Sequence, residues 1–599
     1  MRSNFQKPAR NEGPHQAWEE PVARSNGGEI LARSLAALGV REVFALHGGH
    51  LDSFLVACGA ENIRLTDVRH EATAGYAAEA YARATGEIGV CVITAGPGFS
   101  NALTAMVDAY LDAAPVLFIA GSPPLREAAT NPLQGGFDQV AMAAPVTKWS
   151  HRITNVERIA DLVDKGVRTA LAGRPGPVYL ELPIDIMFGV MNAAEVRLAA
   201  KPGLATRPAP PADAVERMIE LLASASRPAI IIGGGALSPT SARELAALAE
   251  VTGTPVVYSG KANGVLPHDH AWNAGPAGTL AAAALGANQA ADLIIQVGAR
   301  AGLLLGGSAG AVVPHAAKLI QIDIDGSEIG RLRAPDIAVT ADCGEALKAL
   351  NAAARDRKWK AHTDWMALLQ QCRAASHAGF EDTPSETAPG LIHPYHAARA
   401  VAEALLPQTA IALDGGEAVA WFQMFGRSPG PGLYTSNGYL GTLGIGMGNA
   451  IGLARARPGK PVAALLGDGA AGFHIADFDS MARHGLPILT VIFNNAAWGM
   501  SQHGQQMVFG QQHAAAVKLA PSAYQKVAEG LGCAGEQITR AADIGPAVRR
   551  AQASGRPTCL NIMTDADIAH PITAMMVGRL DAPDEIPIPY YENIPLKQL

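Results

Sequence analysis

Two short apolar runs bracket one helical segment late in the chain, and this arrangement limits the fold more than any other feature. The first, Val462-Ala-Ala-Leu-Leu-Gly467, breaks off at Asp468-Gly469-Ala470, and the second, Pro487-Ile-Leu-Thr-Val-Ile-Phe, breaks off at Asn494-Asn495. Each is too short for a helix and has no polar face, so both read as strands buried on two sides. A helix over 475–484 separates them. A right-handed crossover then sets the strands parallel in one sheet, with Asp468 and Asn495 at the same carboxyl edge. Open α/β sheets bind ligands at that edge, and the helix beginning beyond Gly472 is expected to aim its N-terminal amides into the same crevice.

The alternation recurs upstream. Over 28–183 the pattern predicts helix 29–38, strand 43–46, helix 51–58, strand 63–68, helix 72–85, strand 89–94, helix 99–111 and strand 116–120. Apolar runs at Pro228-Ala-Ile-Ile-Ile, Pro255-Val-Val-Tyr, Leu293-Ile-Ile-Gln-Val and Lys318-Leu-Ile-Gln-Ile mark a second such unit. The 599 residues exceed what one core holds. The expected fold is α/β, with three doubly wound parallel-sheet domains. Their boundaries read as a flexible extension over 1–24, a first domain over 25–190, a central domain over 205–355, a third over 390–565, and an extended tail over 566–599 whose prolines stop a regular helix. The Pro-rich stretch 202–211 reads as a linker.

Hydrophobic residues make up 49% and charged residues 17%, which suits large buried cores and excludes a disordered chain. Net charge is −7 with no run of like charges, so no nucleic-acid partner is expected. No apolar run reaches the roughly 18 residues that span a bilayer, so no membrane association is expected. Six scattered cysteines without a CxxC pair fit reduced thiols in a cytoplasmic enzyme rather than a disulfide framework or zinc site.

The Asp468 carboxylate, the Asn495 amide oxygen and a nearby backbone carbonyl are hard oxygen ligands, suited to Mg2+ shared with a diphosphate. Alone, Gly-Asp-Gly is a turn and Asn-Asn a strand end. Together, with 24 residues between Gly469 and Asn494, they resemble the signature of thiamine diphosphate enzymes. The resemblance implies that Asp468, Asn495 and the carbonyl of Ala497 hold the metal. It also implies cofactor contacts from Gly415, Gly441, Leu443, Gly467, Gly469, Ala470, Trp498 and Gly499, with Leu443 wedged between the two cofactor rings.

Glu71 follows a predicted strand and opens a helix, again at a carboxyl edge. An isolated acid there only complements the helix dipole. Its context is more specific: Arg-His-Glu71-Ala, Thr94-Ala-Gly-Pro97-Gly98-Phe-Ser-Asn101 and Ala114-Pro-Val-Leu-Phe-Ile-Ala-Gly-Ser resemble the pyrimidine-binding domain of the decarboxylase and acetolactate synthase superfamily. The resemblance implies that Glu71 activates the aminopyrimidine, that Pro97 and Asn101 line its site, and that Glu71 of one subunit meets the third domain of another. A homodimer at minimum follows, with a homotetramer expected.

Three blocks are similar to benzaldehyde lyase: Leu46-His47-Gly-Gly49-His50-Leu-Asp52, the stretch from Thr130-Asn-Pro-Leu-Gln134 to Trp149, and Asn437-Gly-Tyr-Leu-Gly441-Thr-Leu443. That likeness implies that His50 relays protons to the substrate and that Gln134 hydrogen-bonds its hydroxyl or carbonyl. His47 reads either as a pocket residue or as a structural turn histidine. Gly49, Ile184, Asn437 and Met500 stand where that family carries alanine, tryptophan, histidine and alanine, so a differently shaped substrate pocket is expected. The implied activity is cleavage or formation of 2-hydroxy ketones from aldehydes. A 2-hydroxyacyl-CoA lyase and an acetolactate-synthase-like enzyme acting on 2-oxo acids are the alternatives. A silent scaffold has no need to retain Glu71, Asp468 and Asn495 together. Gly233-Gly-Gly-Ala and Gly298-Ala-Arg300 stand at strand ends where relatives bind FAD or ADP, and equally suit an empty nucleotide fold.

Overall fold

The computed structural model describes residues 23–131, 133–199, 206–588, 590–591 and 593–596. The expected extension over 1–24 lies almost wholly outside the described residues, as does the first part of the 202–211 linker. Three six-stranded parallel sheets, each flanked by helices, form three α/β domains. In the first, the strands lie side by side as Arg64–Asp67, Glu42–Ala45, Gly89–Ile93, Val116–Ser122, Val178–Pro183 and Trp149–Arg152. The third sheet repeats that topology with Tyr434–Thr435, Ala410–Asp414, Val462–Gly467, Ile488–Asn494, Thr558–Met563 and Ala534–Ile538. In both, chain order reverses between the second and third positions. That switch point places the loop after Ala45 beside the loop after Ile93, and Gly415 beside Gly467, where neighbouring crossovers run to opposite faces and leave a crevice.

The central sheet places Asn273–Pro276, Val256–Tyr258, Pro228–Ile232, Leu293–Val297, Lys318–Asp323 and Ile337–Thr340 in line. Its inner strand Pro228–Ile232 is apolar on both faces, with every residue buried.

The first and third domains pack directly on each other through helices Glu71–Thr85 and Ile445–Ala456. Both are rich in alanine and glycine, which lets the backbones approach closely: a Cβ on Gly452 would overlap the carbonyl of Ala77. Side chains lock the junction. Asp477 accepts from the Arg69 N–H at 2.8 Å and from Thr73 Oγ1 at 2.7 Å, and the rings of His70 and His474 lie 4.7 Å apart.

Two expectations need correction. The helix expected to begin beyond Gly472 and run over 475–484 is instead broken into short pieces, the first a single helical turn, Asp468–Ala471, that starts at the strand end itself. The chain then makes a 3-10 turn, Ile475–Asp477, and enters helix Phe478–Arg483, whose entry residue Asp477 is committed to the first domain. The tail is not uniformly extended either. Pro571 occupies the first turn of helix Pro571–Val577, where a missing N–H costs nothing, and the side chain of His570 caps the Ile572 N–H at 3.0 Å. A two-residue antiparallel pair, Glu585–Ile586 with Ile594–Pro595, completes the described part of the tail.

His570 also makes the fold acid-sensitive. Its ring packs 4.4 Å from Trp421, Nε2 is buried without a hydrogen-bond partner, and burial pushes its pKa down to about 4. The imidazole is neutral in the folded chain, whereas the unfolded chain takes a proton below about 6.5, so stability is lost as pH falls from 6.5 toward 4. Urea midpoints measured at pH 7 and pH 5 are expected to differ more for the parent than for His570→Asn, which keeps a capping acceptor and does not titrate. An equal acid loss in both proteins contradicts this.

Candidate functional site

In the third domain, residues from three strand ends converge. Asp468 follows Val462–Gly467, Asn495 follows Ile488–Asn494, and Gly415-Gly416 follow Ala410–Asp414. The Asp468 carboxyl is 2% exposed, and its Oδ2 is buried with no hydrogen-bond partner. Burial pushes its pKa up to about 7, against backbone N–H groups of Gly469, Asp468, Ala497 and Ala496 that favour the charge. A buried carboxylate oxygen left unpaired is costly unless a ligand completes it. Asn495 Oδ1 accepts from the Ala497 N–H at 3.2 Å. Between them Ala496 is held at φ +55°, a left-handed conformation strained for a residue with a Cβ and of a kind that gathers at ligand clamps.

Gly469 is packed under Trp498, with a Cβ there falling 2.6 Å from the indole, and Gly499 lies beside Asn495 and Glu417. Ala470 is buried in the turn that Asp468 opens. Asn437 joins this group by accepting from the Gly415 N–H at 3.3 Å and donating to the Thr442 carbonyl at 2.9 Å. Gly441 lies exposed at φ +70°, and Leu443 is half-buried. Met500 lies against Gly416, and its carbonyl accepts from the Tyr590 hydroxyl of the folded-back tail at 2.7 Å.

In the first domain, Glu71 is 7% exposed at the start of its helix, and its Oε2 accepts from Asn101 Nδ2 at 2.9 Å. Gly98, next to Pro97 in the first turn of helix Pro97–Leu111, lies against Glu71 and Thr94. Thr94 Oγ1 is 3.3 Å from His50 Nδ1. Burial lowers the His50 pKa, so the ring is a neutral donor and acceptor near pH 7. Gln134, at the strained φ of +56°, rests on Gly96. Glu71, Asn101, Thr94, His50 and Gln134 thus form one continuous patch. Gly49 faces open space beside His50, and Ile184 opens a short helix adjoining Gly49–Leu51. His47 instead points outward and pairs with Asp52 at 2.8 Å, which favours its reading as a turn histidine.

Among the described residues, the hydrogen bonds recorded for the Glu71 group stay in the first domain, and those for the Asp468 group stay in the third domain and tail.

Sequence reasoning missed several supporting residues. Gln139 is buried and holds both loops behind the His50 and Gln134 patch: it accepts the Gly96 N–H at 2.9 Å and donates to the Gly121 carbonyl at 3.1 Å. Asp414 accepts N–H groups of Gly444 and Gly446 at 3.2 and 2.8 Å, and burial pushes its pKa up to about 7. Its position at the end of an apolar run before two glycines mirrors Asp468 and was a usable signal. Glu417 binds His503 at 2.8 Å and Thr573, fastening the tail beside Gly499. In the central domain, Gly233 and Gly235 are pressed onto Gly298, with the Gly235 N–H donating to the Gly298 carbonyl at 2.9 Å. The adjoining cavity, lined by Gln296, Gly302, Gln321 and Arg331, holds about 40 Å³, far below the several hundred of a ligand pocket.

Comparison with known proteins agrees with this layout. The chain matches the thiamine pyrophosphate enzyme N-terminal TPP binding domain over residues 25–142, the central domain over 215–350 and the C-terminal TPP binding domain over 414–562. It is 31% identical over 586 residues to 2-hydroxyacyl-CoA lyase 2 of Bos taurus, covering 91% of each chain. It is 32% identical over 555 residues to a probable acetolactate synthase of Mycobacterium bovis, covering 92% of this chain and 98% of that one. The acetolactate synthase large subunit of Corynebacterium glutamicum is 29% identical over 553 residues, covering 91% of this chain and 87% of that one. With its three domains in the family's order and its polar residues gathered at two sheet switch points, the chain belongs to the thiamine pyrophosphate enzymes, related to acetolactate synthases and 2-hydroxyacyl-CoA lyases.

Proposed function

We propose that the protein is a carbon–carbon lyase and carboligase that cleaves or forms 2-hydroxy ketones from aldehydes, and that the working unit is at least a homodimer. The donor set fits thiamine diphosphate with Mg2+. Asp468 offers a buried carboxylate oxygen with no protein partner, and Asn495 and the Ala497 carbonyl offer two more hard oxygens. When bound, the cofactor supplies a nucleophilic carbon that adds to a carbonyl and stores the electron pair of the broken bond. Glu71, steadied by Asn101, holds a proton at the pyrimidine nitrogen. His50 would give and take the proton of the substrate hydroxyl, Gln134 would hydrogen-bond the same oxygen, and Leu443 would support the cofactor rings. That a second copy of the chain supplies the opposing half rests on the resemblance to the decarboxylase and acetolactate synthase superfamily, in which Glu71 of one subunit would meet the third domain of another.

What favours this substrate class is the residue types at the pocket positions that the sequence implies. The candidate lining, Gly49, His50, Gln134, Ile184, Asn437 and Met500, includes no lysine or arginine, and burial keeps His50 neutral. Such a rim suits uncharged aldehydes and hydroxy ketones better than the carboxylate of a 2-oxo acid, which calls for a cationic partner. The test is a panel of 2-hydroxy ketones, 2-oxo acids, 2-hydroxyacyl-CoAs and simple aldehydes including formaldehyde, assayed with thiamine diphosphate and Mg2+. Cleavage of a hydroxy ketone or aldehyde coupling is expected to dominate. Turnover confined to 2-hydroxyacyl-CoAs, or to CO₂ release from 2-oxo acids, overturns the reading.

A further inference from the structure

Loop 437–444, which carries Asn437 and Leu443, is gripped from outside by both other domains. Asp112, just beyond helix Pro97–Leu111 of the first domain, accepts the Tyr439 N–H at 3.1 Å, and a Cβ on Gly438 would overlap its carboxylate. From the central domain, Lys261 Nζ donates to Asp112. The guanidinium groups of Arg300 and Arg331 lie 4.7 and 5.7 Å from the centre of the Tyr439 ring, a cation–π arrangement.

Under this contact Glu79, Asp108 and Asp112 bring three carboxylates together. They do not form a metal centre, because cations of the chain already occupy the cluster: Arg83 Nε is 2.9 Å from Glu79, and Lys261 lies between Glu79 and Asp112. Burial and the neighbouring Glu79 charge push the Asp108 carboxyl well up. Burial opposes ionisation of Asp112 as well, but Lys261 and Arg83 outweigh it and hold its pKa below the usual range. Asp112 is therefore a charged acceptor in a dry setting, where its bond to the Tyr439 N–H is strongest.

We propose that Asp112 is the positioning residue of loop 437–444, and that the central domain serves the active site by closing this clasp through Lys261, Arg300 and Arg331. What the loop is positioned for rests on the cofactor reading above, whereas the clasp itself does not. Gly438→Ala drives the loop off Asp112, and Tyr439→Ala keeps the backbone N–H but removes the arginine contacts. Three quantities are read: hydrogen exchange over 437–444 in the protein without cofactor, the thiamine diphosphate Kd with Mg2+ by calorimetry, and turnover at saturating cofactor. Gly438→Ala is expected to speed exchange in the loop by about tenfold or more and to weaken cofactor binding by a similar factor, with exchange in the strands of the three sheets unchanged. Tyr439→Ala is expected to show smaller changes of the same sign. Unchanged exchange in both variants overturns the clasp. Faster exchange with unchanged cofactor affinity and turnover overturns the positioning role. If the parent binds no thiamine diphosphate, the cofactor reading fails while the exchange measurement still decides the clasp.

Discussion

Glu71→Gln is expected to leave the fold and cofactor affinity intact and to lower turnover by at least about a hundredfold, the scale of lost acid–base assistance. The substitution changes almost nothing sterically. The replacing amide retains an oxygen to accept from Asn101 Nδ2, so the 2.9 Å contact that orients the side chain survives, and the helix start keeps its packing at 7% exposure. What disappears is the dissociable proton. An amide at this position docks against the same pyrimidine nitrogen but cannot exchange a proton with it. Calorimetry with thiamine diphosphate and Mg2+ separates this from a binding defect, because only kcat at saturating cofactor should fall. Turnover close to that of the parent removes Glu71 from the chemistry, whatever its contacts.

The contrast between what local sequence reveals and what it hides follows from the range of the interactions. Runs such as Val462–Gly467 and Ile488–Asn494 betray themselves because a strand buried on both faces has no polar positions, and their ends then place Asp468 and Asn495 without further information. Strand and helix limits in the first domain fall within two residues of expectation for the same reason: period, glycine and proline act locally. The placement of His50 beside Thr94 needed one more step, the reversal of strand order, which no local pattern encodes. Residues that act across domains gave no signal at all. Asp477 looks like an ordinary acid at a helix start, yet it is spent on Arg69 and Thr73 some 400 positions away. Gln139 and Asp112 are likewise legible only once three strands or three domains have met around them.

Asp468→Ala is expected to abolish thiamine diphosphate binding in the presence of Mg2+ without weakening the chain that lacks cofactor. The two effects have one origin. A carboxyl that burial holds near a pKa of about 7, with an oxygen that nothing in the protein satisfies, burdens the empty fold and becomes an asset only when a cation completes it. Urea midpoints without cofactor should therefore be equal or higher in the variant, while calorimetry shows no binding. A clear loss of cofactor-free stability with binding retained defeats this assignment. The same variant tests the dimer. Glu71→Gln and Asp468→Ala are each inactive alone, but in a mixed dimer the Glu71 of the Asp468→Ala chain meets the Asp468 of the Glu71→Gln chain, rebuilding one intact site of the two. Random pairing on co-expression should restore about a quarter of the parent activity. If both residues serve a site within one chain, every site in the mixture is defective and co-expression restores nothing.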